Sequence, residues 1–118
     1  MTCLRAGLGR IAVFGVMAAG LGAPATALAD DPITIEVTLK DHCFTPLEIH
    51  VPAGRRADLH IRNEDSTAEE FDSSALKAEK IIPPGAAVVV HLRPLAKGRF
   101  PFVGEFHPDT ALGVVISE

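Results

Sequence analysis

Residues 100–117 read FPFVGEFHPDTALGVVIS. The stretch opens with apolar residues at every second position, Phe100 and Phe102. It breaks at Gly104 into the polar segment GEFHPDT and closes on a second apolar run, LGVVIS. Alternation of period two is the mark of a strand that buries one face, and Gly, Pro and Asp between two such runs mark a loop. The loop holds His107 between two carboxylates, Glu105 and Asp109. If the segment stays extended, Glu105 and His107 share one side and Phe106 turns into the core.

The same rhythm runs upstream. ITIEVTL (33–39) sets Ile33, Ile35, Val37 and Leu39 on one face, and Leu47, Ile49 and Val51 share another. RADLHIRN (56–63) sends Ala57, Leu59 and Ile61 inward and Asp58, His60 and Arg62 outward. EKIIPPGAAVVVHL (79–92) reads as strand, turn, strand. Short alternating strands with turn signals at this spacing predict an all-β sandwich, because each sheet has one apolar face to cover. Residues 64–78, EDSTAEEFDSSALKA, break the rhythm with a long acidic loop. Ser73 or Ser74 is a good helix cap and Ala-Leu-Lys-Ala favours helix, so a short helical segment is expected there.

Residues 1–29 read as a separate unit. Arg5 and Arg10 precede an apolar run, and Ala27-Leu28-Ala29 is the small-x-small pattern of a signal peptidase site. This is the anatomy of a secretory signal peptide, and it places the chain in the periplasm. The most apolar part, Ile11 to Ala23, is thirteen residues, short for a membrane span. The mature chain, 30–118, forms one domain. All 15 acidic residues but only 9 of the 11 basic ones follow Ala29, which gives the mature chain a net charge of −6. That argues against nucleic acid and anionic membranes as partners. Cys3 leaves with the leader, so Cys43 is expected to be alone. No Ser-His-Asp arrangement, phosphate loop or tandem CxxC is present, so any activity is expected to be borne by a metal.

The order DHCFTPLEIHVPAGRR, strand, NEDSTAEEFDS, LKAEKIIPPG, strand, GRFPFVGEFHPDTALGVV resembles the cupredoxin-like domains of bacterial periplasmic iron-uptake systems. The resemblance covers Ile33 to Glu118. It implies a Greek-key β-sandwich with a metal site at one end, working beside a membrane iron permease. In blue-copper members the last loop supplies cysteine, histidine and methionine, and an upstream loop supplies a second histidine. Here Phe102, His107 and Gly113 match that pattern, but Gly104 falls at the cysteine. The upstream histidine falls in the Glu69–Glu70 region, and no methionine follows residue 29. Without a thiolate no blue type 1 copper site is expected.

The remaining donors are carboxylates and imidazoles, which suit iron, manganese, zinc and divalent copper. The expected ligand set is His107 and Glu105, with Glu70 and Asp72 from the acidic loop, Glu79, and Asp109. Glu70 and Asp72 are preferred over Glu69 because, in an extended segment, Glu69 shares its side with Phe71, which pins the loop to the core. His42 and Cys43 stay outside the set, as a surface residue and a small buried hydrophobe. The leading expectation is a periplasmic metal-binding accessory of iron uptake, taking iron or copper(II), able to support ferrous oxidation, and passing the metal to the permease. A copper chaperone and a metal-free adaptor are the alternatives, and both a monomer and a dimer stay open.

Overall fold

The computed structural model describes Cys3 and residues 31–118. The leader expected at 1–29 therefore lies outside the described residues, apart from Cys3. The described chain forms β1 (Ile33–Lys40), β2 (Cys43–Thr45), β3 (Glu48–Val51), β4 (Ala57–Asn63), β5 (Glu69–Ser73), β6 (Ala78–Ile82), β7 (Ala87–Leu92), β8 (Gly98–Gly104) and β9 (Leu112–Ser117). They make two sheets, β2-β1-β4-β7 and β3-β9-β8-β5-β6. Most neighbours are antiparallel, but β1 runs parallel to β4, and β3 to β9. The strand and face assignments drawn from alternation hold: Val37, Leu39, Ile49, Val51, Leu59 and Ile61 are all buried.

Three phenylalanines lock the two sheets together. Phe44 from β2, Phe71 from β5 and Phe102 from β8 meet with ring centroids 4.9–6.2 Å apart. Phe44 stands edge-on to the other two, a favourable arrangement for aromatic rings. Gly113 pairs with Phe102 across β8 and β9. A Cβ on Gly113 would lie 2.2 Å from the Phe102 ring, so the ring occupies the space that a side chain there would need.

The expected helical segment does not form, and no helix occurs among the described residues. Residues 69–73 are strand, 74–77 are a turn, and Ser73 pairs with Ala78 across β5 and β6. The capping signal is real: the Ser73 hydroxyl accepts the Leu76 N–H at 3.0 Å, three residues on, as an N-cap does. But the hairpin register leaves only four residues between the paired positions, too few for a helix to propagate. Lys77 takes φ 53° to close the turn, and Arg93 holds the Leu76 carbonyl.

Two further expectations are corrected. Phe106 is 50 % exposed, because β8 ends at Gly104 and the strand alternation ends with it. Cys43 is not alone in the full chain: a disulfide joins it to Cys3. A lone thiol at Cys43 requires that residues 1–29 leave before this bond forms, or that the bond be reduced. The two phenylalanines of this region should behave oppositely. Phe71→Ala should lower unfolding free energy in urea by about 3–5 kcal/mol. Phe106→Ala should change it by no more than about 0.5 kcal/mol.

Candidate metal centre

The loop after β8 is held by its own backbone. Gly104 N–H donates to Ala111 O at 2.6 Å, and His107 N–H donates to Gly104 O at 3.1 Å. The His107 carbonyl accepts the N–H groups of Thr110 and Ala111. These bonds hold the backbone of His107 at one end of the sandwich, with 28 % of its side chain exposed.

Facing it is Glu69, the first residue of β5, only 1 % exposed. Its Oε2 accepts from Nδ1 of His107 at 2.5 Å. Its Oε1 accepts the N–H groups of Phe106 at 2.8 Å and of Glu70 at 3.0 Å. A buried carboxylate is costly unless its oxygens are bonded, and here both are. The space it fills is supplied by a missing side chain. A Cβ on Gly104 would lie 2.7 Å from Cδ of Glu69 and 2.6 Å from Cβ of Ala111.

The third participant is His42. Its ring stacks on that of His107, with centroids 3.6 Å apart and planes 13° from parallel. One nitrogen from each ring and one Glu69 oxygen all lie within 4.8 Å of one another. His42 arrives on a two-residue turn between Lys40 and Cys43, which pair across β1 and β2. Both turn residues have positive φ, 51° at Asp41 and 57° at His42. That is the type I′ geometry that hairpins usually give to Asn-Gly. A non-glycine residue there costs roughly 1–3 kcal/mol and persists only where its surroundings hold it.

Of the expected ligand set, the structure brings only His107 together with Glu69 and His42. Glu70, Asp72 and Glu79 sit on β5 and β6, away from the buried face of the hairpin, and Glu105 lies beside them with its N–H on Glu70 O. Asp109 is exposed in the turn that follows His107. None of these five belongs to the cluster of His42, Glu69 and His107. Alternation placed Glu69 and Phe71 on the inner side, as the structure does. At the end of a sandwich the inner face opens onto the loops, so an inward carboxylate can meet a loop histidine. His42 carried one usable signal, a polar pair at a hairpin turn without the expected glycine.

The outer carboxylates interact among themselves. The Glu70 carboxyl is pushed up to about 7, first by sharing a hydrogen bond with Glu79, then by partial burial and the charges of Glu79, Glu105 and Asp72. The other histidines form exposed pairs with carboxylates, His91 with Asp58 and His50 with Glu118, both at 2.7 Å. Exposed pairs of this kind contribute little.

The cupredoxin-like domain family model matches residues 11–117. The chain belongs to that family. An uncharacterized protein of Rickettsia prowazekii (strain Madrid E) is 40 % identical over 87 residues, covering 74 % of this chain and 70 % of that protein. Auracyanin A, a "blue" copper protein from the green thermophilic photosynthetic bacterium Chloroflexus aurantiacus, superposes with a TM-score of 0.65 at 16 % identity. The match covers 74 % of this chain and 99 % of auracyanin. The metal-binding domain of the Streptococcus pneumoniae D39 Cu(I)-exporting P-type ATPase CopA gives 0.64 at 15 %, covering 72 % and 84 %. At these identities the two structures speak for the fold alone. Within that fold, the cluster here is imidazole and carboxylate and lacks the thiolate and thioether of a type 1 copper site.

Two outcomes follow from the packing and the charges. Gly104→Ala should destabilise the protein by about 1–3 kcal/mol in urea unfolding, because Glu69 and Ala111 leave no room for a methyl group. The raised Glu70 carboxyl favours the protonated folded state. Its contribution is complete below about 4.5, its ordinary value, and is lost as pH rises through about 7. Glu70→Gln should therefore gain stability relative to wild type across that window, read as a rising difference in urea midpoint between pH 4.5 and 8.

Proposed function

We propose that this chain is a cupredoxin-fold module that binds one divalent metal ion, copper(II) foremost, at a site anchored by His107 and Glu69. The observation that carries the reading is the buried Glu69 carboxylate facing the His107 imidazole at 2.5 Å, with a second imidazole stacked alongside. Mixed nitrogen and oxygen donors suit divalent copper, and among first-row divalent ions copper binds such sites most tightly. Two of the fold's relatives are described as copper proteins, one a "blue" copper protein and one the Cu(I)-bound domain of an exporter. The missing thiolate sets this site apart from theirs, and the preference for copper(II) rests on the imidazole and carboxylate donors. The acidic cluster of Glu70, Asp72, Glu79 and Glu105 raises the local concentration of cations beside the site.

A second reading is the iron-uptake accessory. The module would bind ferrous ion, support its oxidation and pass it to a membrane permease. The hard carboxylate favours the ferric state and so supports this role. In both readings the protein works in the periplasm after cleavage at Ala29.

Titration of the protein with copper(II), and under anaerobic conditions with ferrous ion, separates these readings. Equilibrium dialysis should give one copper ion per chain. His107→Ala and Glu69→Gln should each weaken binding by about tenfold or more. Binding unchanged in His107→Ala, or absent at micromolar copper, would overturn the site. Oxygen uptake on admitting air to the ferrous-loaded protein, above the rate of free ferrous ion, would establish oxidation; the free-ion rate would leave a carrier.

A further inference from the structure

The turn that carries His42 is tied to the site from two directions. Asp65, in the loop between β4 and β5, accepts the Asp41 N–H on Oδ1 at 2.7 Å and the His42 N–H on Oδ2 at 3.0 Å. The same Oδ2 lies 3.5 Å from Nδ1 of the His42 ring. Thr110, in the last loop, donates its hydroxyl to the His42 carbonyl at 2.9 Å. Asp65 is itself fixed, since its N–H donates to Oδ1 of buried Asn63 at 2.9 Å. The Asn63 amide is in turn spent on the carbonyls of Thr67, Ile82 and Pro83. A chain of bonds thus runs from the core to a turn whose two residues both sit at positive φ.

A hairpin with no other task has a cheaper solution at these positions, glycine. Here a histidine takes the place, at a backbone cost, and its ring ends directly over His107. We propose that His42 is the second imidazole ligand of the metal and that Asp65 is the residue that positions it. This rests on the reading of His107 and Glu69 as the anchor and adds to it a ligand and its support. Imidazole lone pairs lie in the ring plane, so two parallel rings cannot both aim at one ion. One ring must tilt. His107 is held by Glu69 and by its backbone bonds, whereas the His42 side chain is 41 % exposed on its hairpin. His42 is therefore the ring that leaves the stack when the ion arrives, turning about a backbone that Asp65 keeps still.

The test is a double-mutant cycle on copper(II) affinity, with pulsed EPR of the copper-loaded protein to count bound imidazoles. Wild type should show two. His42→Gly should show one and bind about tenfold more weakly or worse. Its thermal midpoint should match or exceed wild type, because glycine adopts positive φ without strain. Asp65→Ala should also weaken binding by about tenfold in the wild-type chain. In the His42→Gly background it should cost less than about twofold, as expected for a residue acting through His42. Asp65→Asn, which keeps one acceptor oxygen, should fall between and serves if the alanine variant does not fold. Two imidazoles retained in His42→Gly with wild-type affinity would overturn the ligand. An Asp65 effect undiminished in that background would overturn the positioning role. If His107→Ala also leaves affinity intact, the anchor itself is wrong; if that variant alone loses binding, only the present inference fails.

Discussion

The loop end of this sandwich is organised around one buried anion. Glu69 reaches the inner end of β5, where water is excluded, and an ionised carboxylate there is tolerable only if every oxygen is bonded. Its three partners belong to two segments: Glu70 on its own strand, and Phe106 and His107 in the last loop. The carboxylate therefore sets the path of the last loop as much as the loop accommodates the carboxylate. Truncating either side would leave a buried polar group without its partner, which is costlier than the net worth of the bonds themselves. Among the described residues no buried side-chain polar atom lacks a hydrogen bond, so the structure meets this requirement throughout.

The second support is independent of the first. Asn63 ends β4 and spends its side chain on the loops at either side, which fixes Asp65, and Asp65 fixes the Asp41–His42 turn. Both supports spring from strand ends whose inner faces are held by the core of Phe44, Phe71, Phe102 and the aliphatic residues around them. The sheets thus deliver two imidazoles from two loops to one place, with no helix among the described residues. The loops carry the chemistry, and the rigid strands below them fix where it happens.

Much of this was legible in the sequence, and what was missed has physical causes. Alternation gave the strands and their faces because each sheet buries one side, and the loop after Phe102 announced itself through Gly104, Pro108 and His107. Alternation also put Glu69 and Glu70 on opposite sides correctly. Alternation does not say on which side a site lies, and Glu70 is preferred because Glu69 shares its side with the core residue Phe71. The helical reading of 73–78 took a true capping signal from Ser73 but could not see that Ala78 pairs back with it. Phe106 was carried inward by extending a strand period past the glycine that ends the strand. The pairing of His42 with His107 is hard to read because the contact spans 65 positions of sequence and depends on a turn conformation that its residues do not favour, leaving only the glycine-free turn as a signal.

The donor set is narrowed by a steric exclusion as well as by the residues present. The resemblance to blue-copper domains aligns Gly104 with their thiolate. In this structure any Cβ at Gly104 would stand 2.7 Å from the Glu69 carboxyl carbon. A cysteine at 104 and a glutamate at 69 in its present pose cannot coexist. Adding back one ligand would displace the other. The softness of the site is thereby fixed by packing: with the Glu69 carboxylate seated, the donors around the centre are imidazole nitrogen and carboxylate oxygen, which favour divalent ions over cuprous ion. In this chain the bare backbone at Gly104 is what lets the carboxylate of a neighbouring strand reach the loop histidine.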